Sequence, residues 1–304
     1  MLVFSTRSYQ YLQDELSRLP SFEAGVLTRK QFPDGETYYR IDSEVEHREV
    51  VVLGGTISDT DTLELFDLAS GLVSLGVKKL HLVLPFYGYS TMERAVKKGE
   101  IVTAKTRAKL ISAIPKAYYG NRVLMIDLHA AGIEQYFEGD VHTAHLYAKP
   151  LIIEAAREIG GEHFVLASTD AGRAKWVESL ANDMGVEAAF VYKMRTSGSE
   201  THITGINANV QGKKVVIYDD MIRTGGSLVQ AAKAYKQAGA AEINVIATHG
   251  LFPANAVQKL KDSGVIKSVT VTNTHPAANA FQGTFIRIKS IAPLLADFLA
   301  SKNN

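Results

Sequence analysis

The chain has 304 residues, enough for about two ordinary domains, and its 46% hydrophobic and 21% charged content is typical of a globular protein with a substantial core. A formal net charge of +1 argues against bulk attraction to nucleic acid or a membrane surface, and the lack of cysteine excludes disulfides, thiolate metal sites and cysteine nucleophiles. Neither a signal-peptide pattern nor a run of about 18 apolar residues occurs, so we expect a cytoplasmic enzyme.

The sequence repeats weakly with a nearly constant shift of about half its length. Residues 2–5 match 165–168, residues 36–37 match 200–201, and the valines at 50–52 match the apolar run at 215–217. A constant shift over several elements indicates a duplicated domain. We therefore predict an α/β fold of two similar domains, 1–147 and 148–304, each with a mainly parallel sheet.

Hydrophobic periodicity predicts the main elements in chain order. Helical spacing of Tyr9, Leu12 and Leu16 predicts a core helix within 8–19, and the leucines at 65, 68, 72 and 75 predict an amphipathic helix over 59–75. Short apolar runs predict strands at 80–84, 123–126, 215–217, 243–247, 269–271 and 285–288. Residues 191–195 are a further predicted strand, and the chain closes with a predicted helix over 291–299.

Polar residues suited to binding or catalysis are divided unequally between the two halves. Asp219 and Asp220 have only Gly54-Gly55-Thr56 opposite them in the first half. Conversely, the strand at 123–126 ends in Asp127-Leu128-His129, and we take its counterpart to be the strand near 285–292, which has no histidine. Asp127 and His129 are two residues apart and would point the same way on an extended backbone. A reaction that needs both sets would take place between the domains.

Residues 213–228 carry the strongest functional signal. The apolar run predicts a strand buried on both faces, the two acids follow at its predicted end, and a glycine turn leads into a helix that begins at Leu228. Because the carboxyl ends of parallel strands bind ligands and a helix N-terminus binds phosphate, the turn suits a phosphate and the acids suit a sugar diol or hydrated Mg²⁺.

This stretch resembles the binding motif for phosphoribosyl pyrophosphate (PRPP), which type I phosphoribosyltransferases and PRPP synthetases share. The whole chain is similar to PRPP synthetases, because Asp-Leu-His-Ala at 127–130 and Thr-His-Gly-Leu-Phe at 248–252 also resemble segments of that family. The resemblance implies two domains of the type I phosphoribosyltransferase kind and transfer of diphosphate from Mg-ATP to ribose 5-phosphate. It implies that the sugar phosphate is bound by Asp219, Asp220, Arg223, Thr224, Gly225, Gly226 and Ser227.

The same resemblance implies a nucleotide site in the first half. The Phe-x-Asp-Gly-Glu loop supplies Phe32, Asp34 and Glu36, which in the family clasp the adenine of ATP in a neighbouring subunit, so a homo-oligomer is expected. Arg94 is the candidate phosphate contact. Thr91 and Met92 stand where widespread synthetases have Arg-Gln, and the segment is closer to the plant class, so the identity of the donor nucleotide stays open.

Metal and catalytic roles also follow from the resemblance. His129 is implied to lie against Mg²⁺ and the triphosphate, and Asp170 to hold a second face of the metal, although Asp170 also suits a simple helix cap. Lys193 and Arg195 lie on one side of a predicted strand and match the catalytic Lys-x-Arg loop. Two neighbouring cations suit phosphoryl transfer, where stabilising negative charge is most of the catalysis.

Two other functions remain open from the sequence. A type I phosphoribosyltransferase would consume PRPP, although such enzymes need only one domain of this kind. A non-catalytic regulatory homologue would bind sugar phosphate and assemble with an active synthetase, and the residues at 91 and 92 favour it.

Arg223 replaces an acid common at that position in bacterial synthetases, which argues against a general base there.

Overall fold

The structure is a computed structural model that describes residues 1–169, 171–195 and 201–301. It divides into two compact units. The first comprises Met1–Tyr147 and the C-terminal segment that begins at Ala292, and the second comprises Ala148–Ile291. Whether these units are the functional domains predicted as 1–147 and 148–304 stays a prediction.

The first unit contains a six-stranded parallel sheet, a separate β-hairpin and four helices. Its strands are β1 (Leu2–Ser5), β2 (Glu23–Ala24), β3 (Leu27–Gln31), β4 (Thr37–Ile41), β5 (Glu49–Leu53), β6 (Lys79–Leu84), β7 (Asn121–Ile126) and β8 (Val141–Leu146). Its helices are α1 (Gln10–Leu16), α2 (Asp59–Ser74), α3 (Thr103–Ser112) and the C-terminal α8 (Ala292–Ser301), which contacts α1.

The second unit repeats this plan. Its strands are β9 (Val165–Ser168), β10 (Glu187–Ala189), β11 (Val191–Arg195), β12 (Thr201–Ile206), β13 (Lys214–Ile222), β14 (Glu242–Gly250), β15 (Ser268–Thr272) and β16 (Ile286–Lys289). Its helices are α4 (Lys149–Gly160), α5 (Ala174–Met184), α6 (Gly226–Gln237) and α7 (Ala256–Asp262).

Strand order establishes the duplication. The first sheet runs β2-β1-β5-β6-β7-β8 and the second β10-β9-β13-β14-β15-β16, with every pairing inside these two sheets parallel. In both units a two-stranded antiparallel hairpin lies between the second and third strands in chain order, β3–β4 in one and β11–β12 in the other. The predicted α/β class with two mainly parallel sheets is confirmed.

The buried centre of each sheet explains why these segments form strands. Val215, Val216 and Ile217 are fully buried, as expected of a parallel strand covered on both faces. In α2, Leu65, Leu68 and Leu72 are buried as predicted. The predicted Leu75 is wrong as a core residue, because the helix ends at Ser74 and the side chain is 50% exposed. Across the described residues, we find no helix with the length and apolarity needed to span a membrane.

The register corrects the predicted counterpart of the histidine strand. β7 is the fifth strand of the first sheet and β15, not β16, is the fifth of the second. Aligning the two sheets by their strand partners places Thr272 opposite Ile126, and therefore His275 opposite His129. The prediction that the second half lacks an equivalent histidine is wrong, because the duplicated segment was matched one strand too late.

Candidate functional site

The N-terminus of α6 is built to leave backbone N–H groups uncovered. Its N-cap is Gly225 at φ +72°, which supplies no capping side chain, and the first turn holds no acidic residue. A Cβ at Gly225 would also lie 3.0 Å from the Leu260 side chain. Glycine is therefore required here by backbone conformation and by space, and the first N–H groups of α6 are oriented for an anion.

The N-terminus of the corresponding helix of the first unit, α2, is capped by side chains. At the N-terminus of α2, the Ser58 side chain accepts a hydrogen bond from the Asp61 N–H, and Asp59 and Asp61 place two carboxyl groups in the first turn. Arg107 forms an ion pair with Asp59. Two acids at the positive end of a helix repel a phosphate, so only the α6 end suits one.

Asp219 and Asp220 lie inside β13, which runs on to Ile222, so the predicted end of the strand just before them is wrong. The Asp220 N–H donates to Asp219 Oδ1 at 3.0 Å, and Thr169 Oγ1 donates to Asp219 Oδ2 at 3.1 Å. The Asp220 carboxylate is buried and forms an ion pair with Arg173. Sheet register places Gly54 and Gly55 at these two positions in the first unit.

Burial, together with the neighbouring Asp220 carboxylate, raises the pKa of Asp219 to about 7. Two carboxyl groups this close resist simultaneous ionisation unless a cation or hydrogen-bond donors arrive. The pair therefore suits sugar hydroxyls or a hydrated divalent cation, both of which bring such groups.

An aromatic pair lies next to these acids. Trp176 stacks on Tyr218 with ring centroids 4.3 Å apart and planes 20° apart, and the Tyr218 hydroxyl is 3.2 Å from Thr248 Oγ1. Trp176 is only half-buried. Neither Trp176 nor Arg173 was predicted as a site residue. The signal for both lay in their short spacing from the predicted metal residue Asp170.

His129 follows β7 in the first unit and is half-buried. Asp127 is buried at φ +40°, and its N–H donates to the Leu146 carbonyl at 3.1 Å. The backbone is therefore not extended at Asp127, and the prediction that rested on an extended segment is wrong. His145 Nε2 accepts from the Leu128 N–H at 2.9 Å, which ties this loop to β8, and burial lowers the pKa of His145.

The predicted adenine loop forms the tip of the β3–β4 hairpin. Phe32 is 40% exposed and meets Tyr38 edge to face at 6.5 Å, and the Lys30 ammonium lies 5.1 Å from the Phe32 ring centroid. Asp34 accepts from the Glu36 N–H at 3.1 Å, so its carboxylate also shapes the turn. The tip thus presents an aromatic face and two acids to solvent.

The remaining predicted residues are distributed as follows. Arg94 pairs with Glu93 at 3.4 Å, with its side chain 78% exposed. Lys193 and Arg195 lie in β11, where the structure describes their backbone. Asp170 lies outside the described residues. Within the described ranges, no cluster of three or more His, Cys, Asp or Glu side chains is placed to hold a metal.

Comparison with known proteins gives matches over nearly the full chain. Residues 1–114 match the family model for the N-terminal domain of ribose phosphate pyrophosphokinase, and residues 142–301 match the phosphoribosyl synthetase-associated domain. The chain is 34% identical over 300 residues to a ribose-phosphate pyrophosphokinase of Rhodopirellula baltica, covering 97% of this chain and 93% of the relative. It is 33% identical over 299 residues to that of Caldanaerobacter subterraneus, covering 97% and 92%.

A solved structure agrees with these matches. The chain is similar to phosphoribosylpyrophosphate synthetase from Mycobacterium smegmatis, with a TM-score of 0.87, 28% identity, and coverage of 100% of this chain and 99% of the other. The predicted fold of two phosphoribosyltransferase-like domains is thereby confirmed.

Proposed function

This chain belongs to the ribose-phosphate pyrophosphokinase family, and we propose that it transfers the β,γ-diphosphoryl group of ATP, or of another nucleoside triphosphate, to the 1-hydroxyl of ribose 5-phosphate, giving PRPP and AMP. The observation that carries the proposal is the pairing of an uncapped α6 N-terminus with two adjacent carboxyl groups on β13 of the same unit. Family membership supplies the reaction, and this site supplies a place for the sugar phosphate.

The sugar phosphate would bind with its 5′-phosphate on the first N–H groups of α6. Ser227 adds a hydroxyl in the first turn, and Thr224 and Arg223 precede the helix. The ribose hydroxyls would donate to Asp219 and Asp220, which are held by Thr169 and Arg173. This orientation fixes both ends of the sugar and leaves the 1-hydroxyl for reaction.

In the proposed reaction, the 1-hydroxyl oxygen attacks the β-phosphorus of the nucleotide. A new oxygen–phosphorus bond forms, the bond from the β-phosphorus to the bridging oxygen of the α-phosphate breaks, AMP leaves, and the hydroxyl loses its proton to solvent. We assign Lys193 and Arg195 to the charge that develops on the transferred group, and Phe32, Asp34, Glu36 and Arg94 to the nucleotide.

The residues present fit a role for Mg²⁺. This ion prefers oxygen ligands and usually keeps several waters, so two adjacent carboxyl groups and substrate phosphates suffice without a protein cage. Asp219 and Asp220 are such a pair, and we also assign His129 and Asp170 to the neighbourhood of the ion. Bound Mg²⁺ would supply charge neutralisation on the diphosphoryl group.

The proposal includes a cytoplasmic homo-oligomer that does not act on nucleic acid or membranes. Net charge of +1 and the matches to nucleotide-biosynthesis enzymes support it, as does the exposed hairpin tip with its aromatic face. A tip that serves the nucleotide of a neighbouring subunit would make a monomer inactive.

One assay tests the reaction. Purified protein is incubated with ATP, Mg²⁺ and ribose 5-phosphate and followed by phosphorus NMR, with GTP and other donors in parallel. We expect AMP and PRPP in equal amounts. A second incubation contains PRPP and a nucleobase instead; PRPP consumption there, with no AMP from the first incubation, would indicate a phosphoribosyltransferase. No product in either incubation with any donor would indicate a regulatory homologue, which the full-length matches to synthetases do not favour.

A further inference from the structure

Lys259, on α7, lies beside the phosphate-binding end of α6. A Cβ atom placed on Gly226 would be 3.4 Å from Lys259 Nζ. Gly226 is the first residue of α6, so the ammonium stands next to the N–H groups proposed to receive the 5′-phosphate. The motif at 219–227 does not include this residue, which is distant in sequence.

The next residue explains why the lysine is held there. Leu260 is fully buried and its side chain would lie 3.0 Å from a Cβ on Gly225. α7 therefore packs directly under the glycine turn through Leu260. Because Leu260 is fixed in the core, the preceding Lys259 is fixed at the rim of the turn, with its side chain exposed to solvent.

The charges around this position are unfavourable without an anion. A helix N-terminus carries a positive partial charge, α6 has no acid in its first turn, and Arg223 precedes the turn. In the described part of the chain, neither Lys259 nor Arg223 is within ion-pair distance of a carboxylate. An ammonium and a positive helix end at one place, with Arg223 two residues before the N-cap, form a site that a dianion would relieve.

We infer that Lys259 is a further substrate-binding residue, whose ammonium contacts the 5′-phosphate of ribose 5-phosphate at the N-terminus of α6. The inference rests on the proposed function and adds a contact from α7 to a site otherwise made of the first N–H groups of α6 and residues 223–227. A lysine acts here as a point charge, so it adds affinity for the phosphate without setting the geometry of transfer.

The test compares Lys259→Ala with Lys261→Ala. Lys261 lies on the same helix, but its ammonium is over the Phe285 ring at 5.7 Å, so its removal changes charge equally without touching the turn. Calorimetric titration with ribose 5-phosphate, without nucleotide, should show about tenfold weaker binding for Lys259→Ala, since a hydrogen bond to a charged group contributes that much or more. Lys261→Ala should bind as the unsubstituted protein does, and Lys259→Arg should retain most of the affinity.

Steady-state kinetics give a second readout. Lys259→Ala should raise KM for ribose 5-phosphate about tenfold with kcat and KM for ATP unchanged. Equal affinities for Lys259→Ala and the unsubstituted protein would overturn the inference while leaving the proposed function intact. Absence of AMP formation would overturn the function, and titration would still decide the role of Lys259. No binding of ribose 5-phosphate by any form would overturn both.

Discussion

His275 occupies in the second sheet the position that His129 occupies in the first. Each lies three residues beyond the fifth strand of its sheet. His275 Nδ1 accepts a hydrogen bond from the Ala277 N–H at 3.2 Å and caps the 3₁₀ helix Pro276–Phe281. Burial, and to a smaller extent the nearby His249, lowers the pKa of His275 to about 4. Duplication has thus left one histidine in a structural cap and the other at a half-buried loop.

This relationship predicts opposite effects of two alanine variants. His129→Ala should lower kcat about 100-fold or more, as loss of a transition-state contact does, with little change in the free energy of unfolding. His275→Ala should lower the free energy of unfolding by about 1–3 kcal/mol through loss of the cap and of the half-buried ring. Denaturant unfolding and AMP release measure both, and an active, stable His129→Ala protein would remove that residue from the site.

Asp219 predicts a stability that depends on pH. Its folded-state pKa is about 7, whereas an unfolded Asp titrates near about 3.9. The folded protein therefore binds the proton more tightly, so this group lowers stability as pH rises from about 4 to about 7, and the full penalty persists above about 7. Asp219→Asn should raise Tm more at pH 8 than at pH 5 in metal-free, substrate-free buffer.

The matched control for this variant is Glu178→Gln, an exposed acid on α5. It should leave Tm unchanged at both pH values. Asp219→Asn should also weaken ribose 5-phosphate binding, because a carboxylate acceptor for the hydroxyls is lost. An equal Tm gain at the two pH values would show that the carboxyl group does not titrate in this range.

Substitution of Gly225 should cause a loss of ribose 5-phosphate binding that backbone strain alone does not explain. Gly225 and Gly212 have nearly the same positive φ, +72° and +70°, but a Cβ at Gly212 meets nothing within 4 Å. Each alanine substitution should cost about 1–2 kcal/mol of stability from the left-handed backbone. Only Gly225→Ala should also displace the turn against Leu260 and weaken ribose 5-phosphate binding, as titration would measure; equal affinities in the two variants would contradict this.

The sequence allowed the sheet strands and their chemistry to be predicted where local patterns decide them. The valine and isoleucine runs at 50–52 and 215–217 are typical of buried parallel strands. The glycine turn before α6 is typical of a helix start in which Gly225 adopts a positive φ. Asp219 and Asp220 were located for the same reason, although β13 continues past them because its neighbour β14 is also nine residues long and pairs with it to the end.

Contacts between distant segments could not be predicted in this way. Arg173 is close in sequence to the predicted metal residue Asp170, but its contact with Asp220 is visible only when the two segments are placed side by side. Lys259 reaches Gly226 because Leu260 is buried, a fact of packing that no local pattern contains. The counterpart of His129 was misplaced because a constant shift along the sequence ignores insertions and deletions between the two halves. Strand pairing aligns the two sheets directly and is not affected by them.

Lys193 and Arg195 predict a loss of turnover without a loss of sugar binding. If both cations stabilise charge that appears only in the transition state, either alanine variant should lower kcat about 100-fold or more with ribose 5-phosphate affinity retained. Lys213→Ala is the matched control, since Lys213 pairs with Glu187 at 2.7 Å on an exposed surface of the same unit. Normal turnover in the Lys193 and Arg195 variants would remove the assignment.

The hairpin tip predicts that two inactive variants restore one another when mixed. A protein with Phe32, Asp34 and Glu36 all changed to alanine should bind ATP poorly, while His129→Ala should bind it without turnover. If the tip serves the nucleotide of a neighbouring subunit, a hybrid oligomer contains some sites with an intact tip from one chain and an intact histidine from the other. Mixing the variants under conditions of subunit exchange should recover up to about a quarter of the activity, given random pairing across closed symmetric interfaces.

The control is the same mixture in which both partners carry His129→Ala, which should stay inactive. Size-exclusion chromatography with light scattering establishes whether exchange has occurred, using one variant with an affinity tag. Recovery would require that tip and histidine of one site come from different chains. Exchange without any recovery would mean that the tip acts within its own chain, because then every site in the mixture lacks either the intact tip or the intact histidine.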